Sequence, residues 1–108
     1  MTTFETRETA FENKFAHDQQ LQFRAEARAC KMFGAWLAAE MGLTGDDIAH
    51  YANDLVVANL DEPGLDDVLD KAEDDLKIKG KFIIRDDLRH KLDGFYADAK
   101  RQIMKETA

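Results

Sequence analysis

Apolar residues recur along this chain every three or four positions, the period of amphipathic helices. Three breaker clusters interrupt them: Gly42-Leu43-Thr44-Gly45, Asp61-Glu62-Pro63-Gly64 and Lys79-Gly80-Lys81. The first block, from about Asp18 to Met41, carries Phe23, Ala27, Cys30, Gly34, Leu37 and Met41 at alternating spacings of four and three, a coiled-coil-like seam. Leu21, Met32, Trp36 and Ala39 fall on other sides, so this helix is expected to be covered on more than one face. The second block offers Ile48, Tyr51, Ala52, Leu55, Val56 and Asn59, and the third Leu65, Val68, Leu69, Ala72 and Leu76. The fourth offers Ile84, Leu88, Leu92, Phe95, Ala99 and Ile103. Valine and isoleucine are few and nowhere alternate over a strand's length. The pattern predicts an all-α protein, a four-helix bundle with antiparallel neighbours joined by short turns.

Local signals refine the ends of these helices. Thr44 with Asp47 has the spacing of an N-cap and a returning acid. Pro63 suits the first turn of the third helix, where a missing N–H costs nothing. Gly80 is placed to close that helix in a left-handed cap. Ile84 is a poor N-cap for the fourth, and Gly94 in its interior costs about 1 kcal/mol relative to alanine.

The segment before these blocks behaves differently. At about 100° per residue, Phe4, Phe11 and Phe15 fall within an arc of roughly 40°, with Glu5, Glu8 and Glu12 on one side and Arg7 and Lys14 on the other. Continued as a straight helix, this stripe lies roughly 80–90° from the Phe23–Met41 seam. Three aromatics on about four turns do not hold a helix together alone. Residues 1–17 are therefore expected to form a mobile, helix-prone N-terminal arm, flexible when free and ordered in a partner's groove. Residues 18–108 form the bundle. The alternative is that the three phenylalanines fold back and cap it.

Composition narrows the function classes. The chain has 108 residues, 44% hydrophobic and 34% charged, with 15 basic and 22 acidic residues and a net charge of −7. That balance disfavours nucleic acid or an anionic membrane as the default partner, and no run of adjacent basic residues exceeds two. One cysteine, Cys30, cannot form an internal disulfide and fits a reducing cytoplasm. No apolar run approaches the ~20 residues of a membrane span, and the N-terminus lacks the regions of a signal peptide. A soluble, cytoplasmic chain, monomeric when free, is expected.

Candidate chemistry is sparse. Asp47/His50 and Asp87/His90 are Asp-x-x-His pairs, but dimetal bundles use Glu-x-x-His pairs pointing inward. Helical geometry sets both histidines about 160–170° from their own apolar stripes. His17, at the arm–bundle junction, could tune arm release by protonation near pH 6.5, a plain surface role being the simpler reading. The acids of the third helix, Asp61 to Asp75, do not match a calcium loop; they read as a solvated face, or else as a docking surface for a basic partner. Cys30 is read as a small buried hydrophobe, and Trp36 and Met32 as packing. No phosphate loop, no Ser/His/Asp grouping and no Cys/His pairing is present. A non-enzyme without metal or cofactor is expected.

A family resemblance rests on Arg7-Glu8-Thr9-Ala10-Phe11-Glu12-Asn13-Lys14-Phe15-Ala16-His17-Asp18, then Phe23-Arg24-Ala25-Glu26-Ala27-Arg28, then Gly34-Ala35-Trp36-Leu37-Ala38-Ala39-Glu40-Met41-Gly42. With Arg89-His90-Lys91-Leu92-Asp93 further on, the chain resembles the alphaproteobacterial zeta inhibitor subunit family of F-type ATP synthases. The resemblance implies a four-helix bundle whose arm folds into a helix between the α, β and γ subunits of the catalytic head. Rotation in the hydrolytic direction is thereby blocked while synthesis proceeds. The implied inhibitory positions are Phe4, Arg7, Glu8, Phe11, Glu12, Lys14 and Phe15, the bundle serving as docking surface and stop. The implied location is peripheral to the inner membrane when bound. The rival reading is a helical protein-interaction or small-ligand regulatory module whose target is unrelated to the synthase.

Overall fold

The computed structural model describes residues 3–61 and 65–107, with side chains described from 19 to 60 and from 65 to 106. Four helices account for nearly all of it: α1 (Thr3–Glu40), α2 (Asp46–Asp61), α3 (Leu65–Ile78) and α4 (Arg85–Thr107). Among the described residues there is no strand, and the all-α bundle expected from the periodicity is what forms.

Two of the turns close by the same device. Gly42, at φ +85°, lies where the Leu43 N–H donates to the Ala38 carbonyl and the Gly42 N–H to that of Ala39. Gly80, at φ +71°, repeats the pattern, with the Lys81 and Gly80 N–H groups donating to Leu76 and Lys77. These are Schellman closures, which need a left-handed residue after the helix. The cap expected at Thr44 is shifted by one residue. Gly45, at φ +61°, precedes the first helical residue, and its carbonyl accepts from the Ile48 N–H. Asp46 and Asp47 then occupy the first turn, where a carboxylate suits the helix dipole. Ile84 stands where the fourth helix begins: its carbonyl accepts from Asp87 and Leu88, and Asp86 and Asp87 follow it as first-turn acids. Pro63 lies outside the described residues.

Short turns make neighbours antiparallel, and the side-chain pairs confirm the order. On α1, Trp36 lies near Lys91 while Arg28 reaches Gln102 and Glu106, so α4 runs back along it. Arg85 meets Asp70 and Glu73, and Arg89 meets Asp66, which sets α4 against α3 in the same sense. Helix α1 packs mainly against α2 and α4; α3 sits outermost.

The core runs through Ala25, Ala29, Cys30, Phe33 and Leu37 of α1 and Met41 just after it to Leu55, Leu69, Leu76, Leu88, Leu92 and Ile103. Most of the expected stripes are buried or half-buried there. Phe23 is one exception: it is 52% exposed. Since Gly34 faces Ala52 and Leu55, antiparallel pairing brings the end of α2 only to about the level of Ala27, and Phe23 lies beyond it. Burial on this part of α1 therefore moves to Ala25 and Ala29, toward α4. Ile84, expected on the fourth stripe, is also exposed, because it precedes its helix.

Candidate partner-binding surface

The arm positions Phe4, Arg7, Glu8, Phe11, Glu12, Lys14 and Phe15, and His17 with them, fall outside the residues whose side chains are described. Their backbone belongs to α1, which runs unbroken from Thr3 to Glu40. What the structure does display is the root from which they extend. At Leu21 and Gln22, α1 meets Tyr96, Lys100, Ile103 and Met104 of α4 along a shallow groove. These residues lie toward the end of α4, which closes at Thr107.

Charge ties this root down. Arg28 donates through both terminal nitrogens to Glu106, at 2.7 and 3.1 Å, and at 3.3 Å to Gln102. Arg24 adds a looser ion pair to the same carboxylate at 3.7 Å. The hydrogen bond to Arg28 holds the Glu106 carboxyl below the ordinary glutamate value, against a smaller opposing effect of desolvation. A forked guanidinium–carboxylate pair has fixed geometry as well as charge. It clamps the last turn of α4 onto α1 at Arg28.

The acids of the third helix have intrachain partners. Asp66 accepts from Arg89, Asp70 and Glu73 accept from Arg85, and Asp75 accepts from the Tyr51 hydroxyl at 2.7 Å and pairs with Lys71 at 3.0 Å. Burial first, then this bond to Asp75, raises the Tyr51 phenol above its ordinary value. Part of this helix's charge thus fastens α3 to α2 and α4.

The remaining candidates resolve into structure. His50 and His90 are both exposed, and the His90 Nδ1 lies 2.8 Å from the Asp86 carbonyl. Among the described residues no cluster of three histidine, cysteine or acidic side chains is placed to hold a metal ion. Cys30 is fully buried, and desolvation pushes its thiol up to about 12; it packs as a small apolar residue. Trp36 is half-buried, its ring centroid 5.8 Å from that of Phe33, with Lys91 over its face at 5.4 Å. No described helix is long and apolar enough to cross a membrane.

One surface feature was not anticipated from the periodicity. Around the α3–α4 turn Ile78, Phe82 and Ile84 are 80%, 85% and 56% exposed. Their signal in the sequence is the alternation Lys77-Ile78-Lys79-Gly80-Lys81-Phe82, which a search for adjacent basic residues passes over.

Comparison with known proteins bears on the whole chain. A family model described as ATPase inhibitor subunit zeta matches residues 1–102. A protein structure solved by solution NMR is 40% identical, covering 80% of this chain and 98% of its own, with a TM-score of 0.68. No curated protein matches.

Proposed function

Since the chain belongs to the ATPase inhibitor subunit zeta family, we propose that it restrains ATP hydrolysis by the F-type ATP synthase, with residues 1–17 as the inhibitory element. The family match carries this reading, because its span takes in the arm as well as the bundle. The layout of α1 supports it. The stretch that carries the phenylalanine stripe and the described core positions from Ala25 to Leu37 lie on one continuous helix.

On this reading the arm enters the catalytic head as a helix wedged between the α, β and γ subunits. Phe4, Phe11 and Phe15 fill apolar recesses, and Arg7, Glu8, Glu12 and Lys14 pair along their flanks. No bond is made or broken. A helix lodged against the rotor obstructs rotation in the hydrolytic direction and is driven out in the other. The bundle is too wide to follow and limits the depth of insertion.

Energetics divide the labour further. Ordering some fifteen residues costs roughly 1–2 kcal/mol each for the backbone, while burying three phenylalanines returns about 1.5–3 kcal/mol apiece. Helix hydrogen bonds, flanking charges and contact by the bundle must supply the difference. Arm and bundle then act as linked modules with a high effective concentration.

The test is an alanine series on the purified chain against its cognate catalytic head. Phe11→Ala and Phe15→Ala are each expected to raise the half-inhibitory concentration at least tenfold, the scale of a buried aromatic anchor. Unchanged potency in both would reject the stripe as the wedge.

A further inference from the structure

The energetics above require the bundle to make a contact of its own, and its surface offers a place built for one. Between Asp75 and Asp86 the chain holds Lys77, Lys79, Lys81 and Arg85 and no acid, in a molecule whose net charge is −7. Arg85 is engaged by Asp70 and Glu73. The three lysines are exposed and have no ion pair among the described residues. Interleaved with them stand Ile78 and Phe82, 80% and 85% exposed, and Ile84, 56% exposed. Scattered single apolar residues on a surface are ordinary, but large ones gathered at a single turn mark an interaction site.

We infer that the turn from Lys77 to Ile84 is a second docking surface, and that it takes an apolar recess rimmed by carboxylates on the catalytic head engaged by the arm. This rests on the reading of the chain as an inhibitor of that head. Charge complementarity selects the partner's chemistry: three unpaired lysines around projecting apolar side chains fit carboxylates around a pocket. The footprint selects protein over lipid. Glu40, Asp46, Asp47, Asp86 and Asp87 lie at the same end of the bundle, where α1 stops and α2 and α4 begin. A flat anionic bilayer would meet those acids together with the lysines, whereas a pocket meets the turn alone. The turn also lies at the opposite end of α4 from the arm's root, roughly 35 Å away for a helix of this length. Both anchors engage one head only when α1, continuous in the free chain, bends between the arm and the bundle so that the bundle lies back along the outer surface of the head.

The experiment measures inhibition of ATP hydrolysis by the full chain, by Phe82→Ser, and by Lys79→Glu combined with Lys81→Glu. All three positions are exposed, so the fold is unaffected. Each variant is expected to need at least tenfold more protein for half-inhibition, and the penalty of the charge reversal is expected to shrink as salt rises from 50 to 300 mM (roughly a twofold change in screening length). Equal potency of all three proteins overturns the docking surface and leaves the arm's role standing. A full chain without effect on the head overturns both. Flotation with phosphatidylglycerol vesicles that Phe82→Ser abolishes, together with unaltered inhibition, assigns the turn to lipid and likewise overturns the inference.

Discussion

A β-carbon built on Gly34 would come within 2.7 Å of the Ala52 Cα and 3.0 Å of a Leu55 methyl. The obstacle is backbone, so α1 and α2 would have to move apart to admit it. Gly94, also inside a helix, has nothing within 4 Å of the corresponding position. The same substitution should therefore act in opposite directions. Gly94→Ala is expected to stabilise the chain by about 0.5–1 kcal/mol through helix propensity alone. Gly34→Ala should lose that gain to overpacking and end about 1–3 kcal/mol less stable than the parent; urea denaturation of the two variants checks both signs. The sequence showed Gly34 on an apolar seam but not that another helix packs directly against it. Spacing locates a glycine on a face, whereas contact depends on which helix lies opposite. Phe23 makes the complementary point. Its spacing matches the seam, yet α2 ends before reaching it, and no property of Phe23 itself reports where a neighbour stops.

The helices were legible because glycine and proline interrupt an otherwise regular period, and the turns are short. The shift of the α2 cap from Thr44 to Gly45 is a competition between two acceptable starts, which local sequence does not rank. Pairing between helices was less visible. Asp66, Asp70 and Asp74 of α3 stay exposed, as their pattern suggests, but that pattern does not show Arg85 and Arg89 folding back against Asp66, Asp70 and Glu73. Pairs of this kind make stability depend on pH at an identifiable place. Arg28 holds the Glu106 carboxyl below its ordinary value, so the pair stabilises the folded chain at neutral pH. That contribution is lost as acid takes the solution down through the folded-state value. Glu106→Gln should melt lower than the parent at pH 7 and converge with it once the pH lies below the ordinary carboxylate range. Melting curves from pH 7 to pH 3 would show it; a constant difference throughout would mean the pair contributes packing rather than charge.

At the scale of the molecule, the bundle's topology follows from three short connections, but the central place of α1 does not. That place comes from its small residues, Ala25, Ala29, Cys30 and Gly34, which let α2 and α4 approach from two sides. The proposed role of the arm rests on the angular offset of its phenylalanines, whereas the family was legible in the pattern running from Arg7 to Gly42. The exposed turn after α3 was not, because its basic residues alternate with apolar ones and so escape a test for adjacent charge. The described core positions of α1 run from Ala25 to Leu37, and a chain starting at Asp18 is expected to remain a folded helical bundle and to melt within a few degrees of the parent. A folded truncated chain makes the decisive comparison possible. ATP hydrolysis by the cognate catalytic head should be measured with the full chain and with residues 18–108, each first shown by circular dichroism to be folded. The account predicts inhibition by the full chain and none by the truncated one at the same concentration. Equal inhibition by a folded chain lacking residues 1–17 would contradict it, and would place the inhibitory element in the bundle.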